Sequence, residues 1–102
     1  MGDDFNIEAI DDIIHGRLRL GIMAFLSTAG SADFTLLKNR LQATDGNLSV
    51  QLRRLEEAGY VSIDKAFVGK KPLTTVTLSD TGRIAYIGYL DAMRKLISDS
   101  GG

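Results

Sequence analysis

Thr44-Asp45-Gly46-Asn47-Leu48-Ser49-Val50-Gln51-Leu52-Arg53-Arg54-Leu55-Glu56-Glu57-Ala58-Gly59 is the stretch on which the fold turns. Leu48, Leu52 and Leu55 recur at i, i+4 and i+7, so at 100° per residue they share one side of a helix. Gly46, Asn47, Val50, Arg53 and Arg54 fall on the opposite side, with Ser49 at its margin. Thr44 is an N-cap residue type, and Asn47 at the third helical position is a weaker partner than the Glu of a full capping box. Gly59 suits the position just past a helix end. A helix is therefore predicted over 44–58.

Working toward the N-terminus, Asp33 reads as the cap of a short helix over 34–41 that points Leu37 and Leu41 inward. Gln42-Ala43 is then a tight turn. Leu18, Ile22, Phe25 and Leu26 line one side of a helix over 17–28, with Leu20 and Met23 on another, and Ala29-Gly30-Ser31 ends it. Ile7, Ile10 and Ile14 at i, i+3 and i+7 predict one more helix, capped by Asn6 and stopped by Gly16.

Beyond Gly59 the period changes from helical to alternating. Val61, Ile63, Lys65 and Phe67 occupy one face of a strand over 60–67. Val68-Gly69-Lys70-Lys71-Pro72 breaks the pattern, and Leu73-Thr74-Thr75-Val76-Thr77-Leu78, rich in β-branched residues, is the return strand. Pro72 cannot donate to a ladder, so it is expected at a strand edge or in the loop. Ser79 caps a last helix over 80–97, and 98–102 is expected to be a frayed tail. The predicted class is α+β, mainly α, in one domain: an N-terminal helical arm (1–16), a helical core with a hairpin (17–78), and a terminal helix with its tail (79–102).

The 102 residues carry a net charge of −1, with 44% apolar and 25% charged residues, values of an ordinary soluble domain. The charges are not evenly spread. Residues 1–16 hold five acids and no Lys or Arg, whereas 38–71 holds seven bases against four acids. There is no Cys, which excludes disulfides and thiolate metal sites. No apolar run approaches membrane-spanning length, and Asp3 and Asp4 stand where a leader would be basic, so a cytoplasmic chain without a leader is expected. His15 is the sole His and reads as a helix-end residue, not a ligand or a base. Glu56 and Glu57 read as surface residues. No pairing of nucleophile with base and no phosphate-binding glycine pattern is present, so neither an enzyme nor a cofactor is expected.

The polar side of 44–58 presents two forked cations, an amide and a hydroxyl, groups that reach phosphates and base edges. Gly69-Lys70-Lys71 adds a cationic hairpin tip able to follow a phosphate backbone or lie along a minor groove. Arginine pairs on helices are more often plain solvated faces, and tip lysines often only solubilise a hairpin. Their occurrence together, beside a tight turn, favours a ligand of high negative charge.

The run 45–61, the tip Phe67-Val68-Gly69-Lys70-Lys71-Pro72-Leu73-Thr74-Thr75 and the segment Leu78-Ser79-Asp80-Thr81-Gly82-Arg83 resemble the recognition helix, wing and last-helix start of winged-helix repressors. Within that superfamily the chain is similar to the small MarR-like and ArsR-like regulators, over about residues 12–97. The resemblance implies a winged helix-turn-helix with flanking N- and C-terminal dimerisation helices. It implies a repressor that binds a pseudo-palindromic double-stranded DNA operator as a homodimer. Helix 44–58 would enter the major groove, and wing 67–73 would touch the flanking backbone or minor groove. The residues so placed on DNA are Thr44, Gly46, Asn47, Ser49, Val50, Arg53, Arg54, Lys70 and Lys71. ArsR-type metal sensing needs Cys or His clusters that this chain lacks, so no metal is expected; a small-molecule effector is left open.

The final helix is too apolar for one face. Tyr86, Leu90, Met93 and Ile97 form one stripe, Ile84 and Ile87 lie away from it, and Tyr89 adds a further aromatic. One set can pack on the core while the other meets a partner. The dimer contact is expected from Ile7, Ile10, Ile14, Tyr86, Tyr89, Leu90, Met93 and Ile97. The rival reading is a protein-interaction module of the same fold, with the basic face on an acidic partner.

Overall fold

The computed structural model describes residues 6–101; the start of the acidic arm and the final glycine lie outside the described residues. A single 3₁₀ turn (Ile7–Ala9) leads to α1 (Arg17–Ala29), β1 (Ser31–Asp33), α2 (Phe34–Leu41), α3 (Asp45–Glu57), the hairpin β2 (Val61–Val68) and β3 (Lys71–Leu78), and α4 (Asp80–Gly101). The sheet is antiparallel, in the order β1-β3-β2. The α+β, mainly α class and the winged-helix layout read from the sequence are those of the structure.

Burial follows the leucine pattern. Leu48, Leu52 and Leu55 of α3 meet Ile22, Met23 and Leu26 of α1, Leu37 of α2 and Val61, Val76 and Leu78 of the hairpin in one core. Each leucine so buried contributes about 1.5–3 kcal/mol relative to exposure. The helix ends are capped as the residue types demand. Asp33 accepts from the Leu36 N–H at 2.8 Å, and Thr44 from the Asn47 N–H at 3.2 Å. Gly59 takes a φ of 82°, while the Tyr60 N–H reaches the Leu55 carbonyl at 2.9 Å and the Gly59 N–H the Glu56 carbonyl at 2.9 Å. That double closure ends α3 sharply and launches the hairpin.

The N-terminal helix predicted from Ile7, Ile10 and Ile14 does not form. Asp11 Oδ1 accepts from the N–H groups of Ile13 (2.8 Å) and Ile14 (3.2 Å), a local turn that competes with helix continuation. The stripe is consequently split. Ile10 and Ile14 are buried in the core, and Ile7 is 63% exposed. The segment is tied down from two sides: Tyr60 Oη donates to Asp11 Oδ2 at 2.5 Å, and His15 Nδ1 lies 2.9 Å from the hydroxyl of buried Tyr89.

Three further differences have local causes. Residues 31–33 form β1 where the sequence predicts only a helix-end loop; three residues are too few to show alternation, yet Ala32 pairs with Val76 and covers the core. The wing loop closes in two residues, Gly69 and Lys70, with Val68 opposite Lys71. Gly69 has φ 65° and Lys70 no positive φ, which fits a type II′ turn. In such a hairpin the Phe67–Pro72 pair turns its backbone nitrogens outward, so Pro72 enters β3 without breaking a ladder bond. Finally, α4 runs through Gly101, past the tail expected from 98, because no proline or internal glycine interrupts Ile97 to Ser100.

The corner between α3 and α4 is tight. Ser79 Oγ accepts from the Gly82 N–H at 2.9 Å and donates to the Gly59 carbonyl at 2.6 Å. A Cβ on Gly82 would sit 2.1 Å from the Tyr60 carbonyl oxygen. Gly82→Ala is expected to destabilise the fold by about 2 kcal/mol or more, measured by urea denaturation; unchanged stability would show that the corner yields. Tyr60 also supplies a pH signature. Burial, then its hydrogen bond to Asp11 and that carboxylate's charge, push its hydroxyl up to about 12. A raised phenol holds its proton more tightly when folded, so this stabilisation is complete below about pH 10 and disappears as pH rises toward 12. The thermal midpoint should fall across that window, and less steeply in Tyr60→Phe.

Candidate nucleic-acid interface

The turn between α2 and α3 sets the site. Gln42 adopts a left-handed φ of 53°, and the Ala43 N–H closes on the Lys38 carbonyl at 3.0 Å. Lys38 Nζ then bridges the turn to Asp45 in the first turn of α3 at 2.8 Å. With its leucines held by the core, α3 must present its other side to solvent. Thr44, Gly46, Asn47, Ser49, Val50, Arg53 and Arg54 are all exposed, Val50 to 52%. The wing carries exposed Lys70 and Lys71 at its tip. Among the described residues none of Arg53, Arg54, Lys70 and Lys71 has a carboxylate within ion-pair distance. The structure thus brings the nine candidate residues onto two exposed elements, one helical and one a hairpin turn.

The two arginines diverge. Arg53 leans toward the wing and lines a cleft of about 640 Å³ with Ser49, Glu56, Lys65 and Thr74, floored by Leu52, Ile63 and Phe34. Lys65 is not among the residues that the sequence singles out. Its strand position alone could not show that it borders a cleft together with α3. Arg54 leans toward α1, where Arg19 donates through Nε to the Ile13 carbonyl at 2.6 Å and through Nη1 to Gln51 Oε1 of α3. Burial, then the positive charge of Arg54, hold the Arg19 guanidinium below its ordinary value. Arg19 is a brace between α1 and α3 that no periodicity could reveal, because it lies on neither stripe of its helix. Within the described residues no cluster of three or more His, Cys, Asp or Glu could hold a metal ion, and no helix is long and apolar enough to cross a membrane.

The surfaces expected at a dimer contact are sorted unevenly. Ile10, Ile14 and Tyr89 are buried inside the protomer, which removes them from its exposed face. Burial, then Tyr86, raise the Tyr89 hydroxyl above its ordinary value. Tyr86 and Met93 are half-buried against the core, while Leu90 and Ile97 stay exposed, as does Ile7. Ile84 (72%) and Ile87 (60%), outside the expected contact, are among the most exposed apolar side chains of α4.

Residues 18–97 match the family described as the winged helix DNA-binding domain. An uncharacterized protein of Methanocaldococcus jannaschii is 33% identical over 78 residues, 76% of this chain and 85% of that one. The structure of a transcriptional regulator homologue from Pyrococcus horikoshii OT3 is 31% identical, with a TM-score of 0.83 over 90% of this chain and 92% of that one. A MarR family regulator from Neisseria meningitidis shares the fold at 19% identity and a TM-score of 0.57, over 82% of this chain and 57% of its own.

Because both arginines are exposed and pair with no carboxylate among the described residues, Arg53→Ala and Arg54→Ala should each change unfolding free energy by no more than about 0.5 kcal/mol. Chemical denaturation checks this; a decrease of about 2 kcal/mol would assign the side chain to the fold.

Proposed function

The chain belongs to the winged helix DNA-binding domain family, and from that premise we propose that it is a sequence-specific transcriptional regulator of the small MarR-like type, a repressor that binds double-stranded DNA as a homodimer. The observation that carries this reading is the two-sidedness of α3. Its leucines are locked in the core, and its small, amide, hydroxyl and guanidinium groups are left exposed. A helix so presented fits a major groove about 12 Å wide. Gly46 and Ser49 at its leading end let the backbone approach base edges, and Asn47, Arg53 and Arg54 supply donors for bases and phosphates. The hairpin tip stands at a second point, where Lys70 and Lys71 meet flanking phosphates.

A net charge of −1 makes a single copy a weak binder, so affinity has to come from two copies acting together. The exposed apolar side of α4 offers the contact. Ile84, Ile87 and Leu90 follow one another round its solvent side, Ile97 is exposed next to the Leu90 line, and Ile7 near the chain's other end is also open. Two protomers joined there would present recognition helices to half-sites about one helical turn apart. The regulator name of the Pyrococcus horikoshii homologue supports the reading.

In vitro selection from a random DNA pool should return a consensus with two-fold symmetry. Affinity for the selected duplex should fall about 10³-fold or more between 50 and 200 mM salt, as dissolved cations compete with the dimer for the phosphates. A flat titration would favour an acidic protein partner instead. Arg54→Ala should weaken binding to that duplex by about 1–3 kcal/mol in an anisotropy assay, provided it reads a base. Leu90→Asp should convert the dimer to a folded monomer in light scattering, since the charge would enter an apolar contact; a wild type that is already monomeric would overturn the dimer.

A further inference from the structure

The outer end of the wing is apolar where a solvated hairpin should be polar. Phe67 is 74% exposed, Val68 65% and Leu73 38%. The register places them on both faces of the ribbon. Phe67 lies opposite Pro72 on one face, together with Lys65; Val68 lies opposite Lys71 on the other, together with Leu73 and Ala66. No core reaches this far, since burial in β2 stops after Ile63. Apolar side chains gathered at one tip and rimmed by charged ones mark a contact surface more often than scattered single ones do.

Its two-sidedness selects the partner. A protein surface or a second copy would cover one face of the ribbon and leave the other wet. A slot with two apolar walls covers both. The minor groove of duplex DNA is such a slot, walled by the C–H edges of deoxyriboses and rimmed by phosphates. The charges match it. From Asp64 outward the wing holds Lys65, Lys70 and Lys71 against one carboxylate. The fit is not passive. A two-faced sheet ribbon is about 10 Å thick, whereas the groove is about 6 Å wide.

We propose that the wing tip acts as an apolar wedge, with Phe67 and Pro72 against one wall of the minor groove and Val68 and Leu73 against the other, forcing it open and bending the duplex. The proposal rests on the DNA-binding reading and makes it more specific. The lysines of the tip act as rim contacts, and the apolar pairs do the deforming. Groove deformation of this kind would favour flexible base steps at positions that no side chain reads.

The test uses full-length protein and the duplex recovered by selection with the wild type, about 30 base pairs long and labelled at both ends for energy transfer. Wild type should shorten the end-to-end distance. The double variant Phe67→Ser with Val68→Ser should keep the wild-type circular dichroism and thermal midpoint, because both side chains are exposed. It should bind roughly tenfold to a hundredfold more weakly with the same salt slope, and leave the bound duplex straighter. The double variant Lys70→Gln with Lys71→Gln should lower the salt slope by about one for each phosphate no longer neutralised, with the bend retained in the complex. A wild-type complex with straight DNA, or a serine variant that binds and bends as the wild type does, overturns the wedge and leaves the DNA-binding reading standing. A serine variant that keeps its bend but no longer self-associates in sedimentation overturns the wedge and assigns the tip to a second copy. Failure of wild type to enrich any duplex overturns the DNA-binding reading and the wedge with it.

Discussion

Three leucines hold α3 against the rest of the molecule, and everything the surface offers depends on them. Leu48, Leu52 and Leu55 are buried to 2% exposure or less among side chains from α1, α2 and the hairpin. Because their stripe fills one side of a helix of 13 residues, the opposite side has no choice but solvent. The cap at Thr44 and the double closure at Gly59 fix where the helix begins and ends. Rotation by one residue would bury Ser49 or Arg53 and expose a leucine, a change disfavoured by several kcal/mol through reduced burial and an unpaired charge. The exposed chemistry of α3 is therefore rigidly presented.

Elements governed by local rules were legible without coordinates. The leucine period, the capping residues Asp33, Thr44 and Ser79, and Gly59 at a left-handed position each speak for a single turn of chain, and each is found as expected. The candidate residues of the interface were readable for the same reason, since exposure on α3 follows from helical phase alone. Elements decided by competition were not legible. The isoleucine stripe at 7, 10 and 14 has a helical period, but the carboxylate of Asp11 takes the N–H groups that a helix would use. Tertiary neighbours were equally hidden. Arg19 and Lys65 approach α3 from distant parts of the chain, and nothing in their own segments marks it.

The terminal segments show how a small domain extends its core. Ile10 and Ile14 arrive from the N-terminal segment and Tyr89 from α4, completing a core that 17–78 alone would leave open on one side. Asp11 and His15 tie that segment to Tyr60 and Tyr89. With Tyr89 turned inward, Ile84, Ile87 and Leu90 of α4 stand in solvent. The same helix thus closes the core with one face and leaves apolar side chains of the other exposed.

If the outward side of α3 and the tip of the wing form one surface for duplex DNA, as proposed, a titration of the ¹⁵N-labelled protein with a selected duplex should show it by amide NMR. Shifts should concentrate at residues 44–54 and 67–73, with the amides of α1 and of the inner sheet nearly silent. Shifts gathered elsewhere, with the α3 and wing amides unmoved at saturation, would place the duplex on another surface.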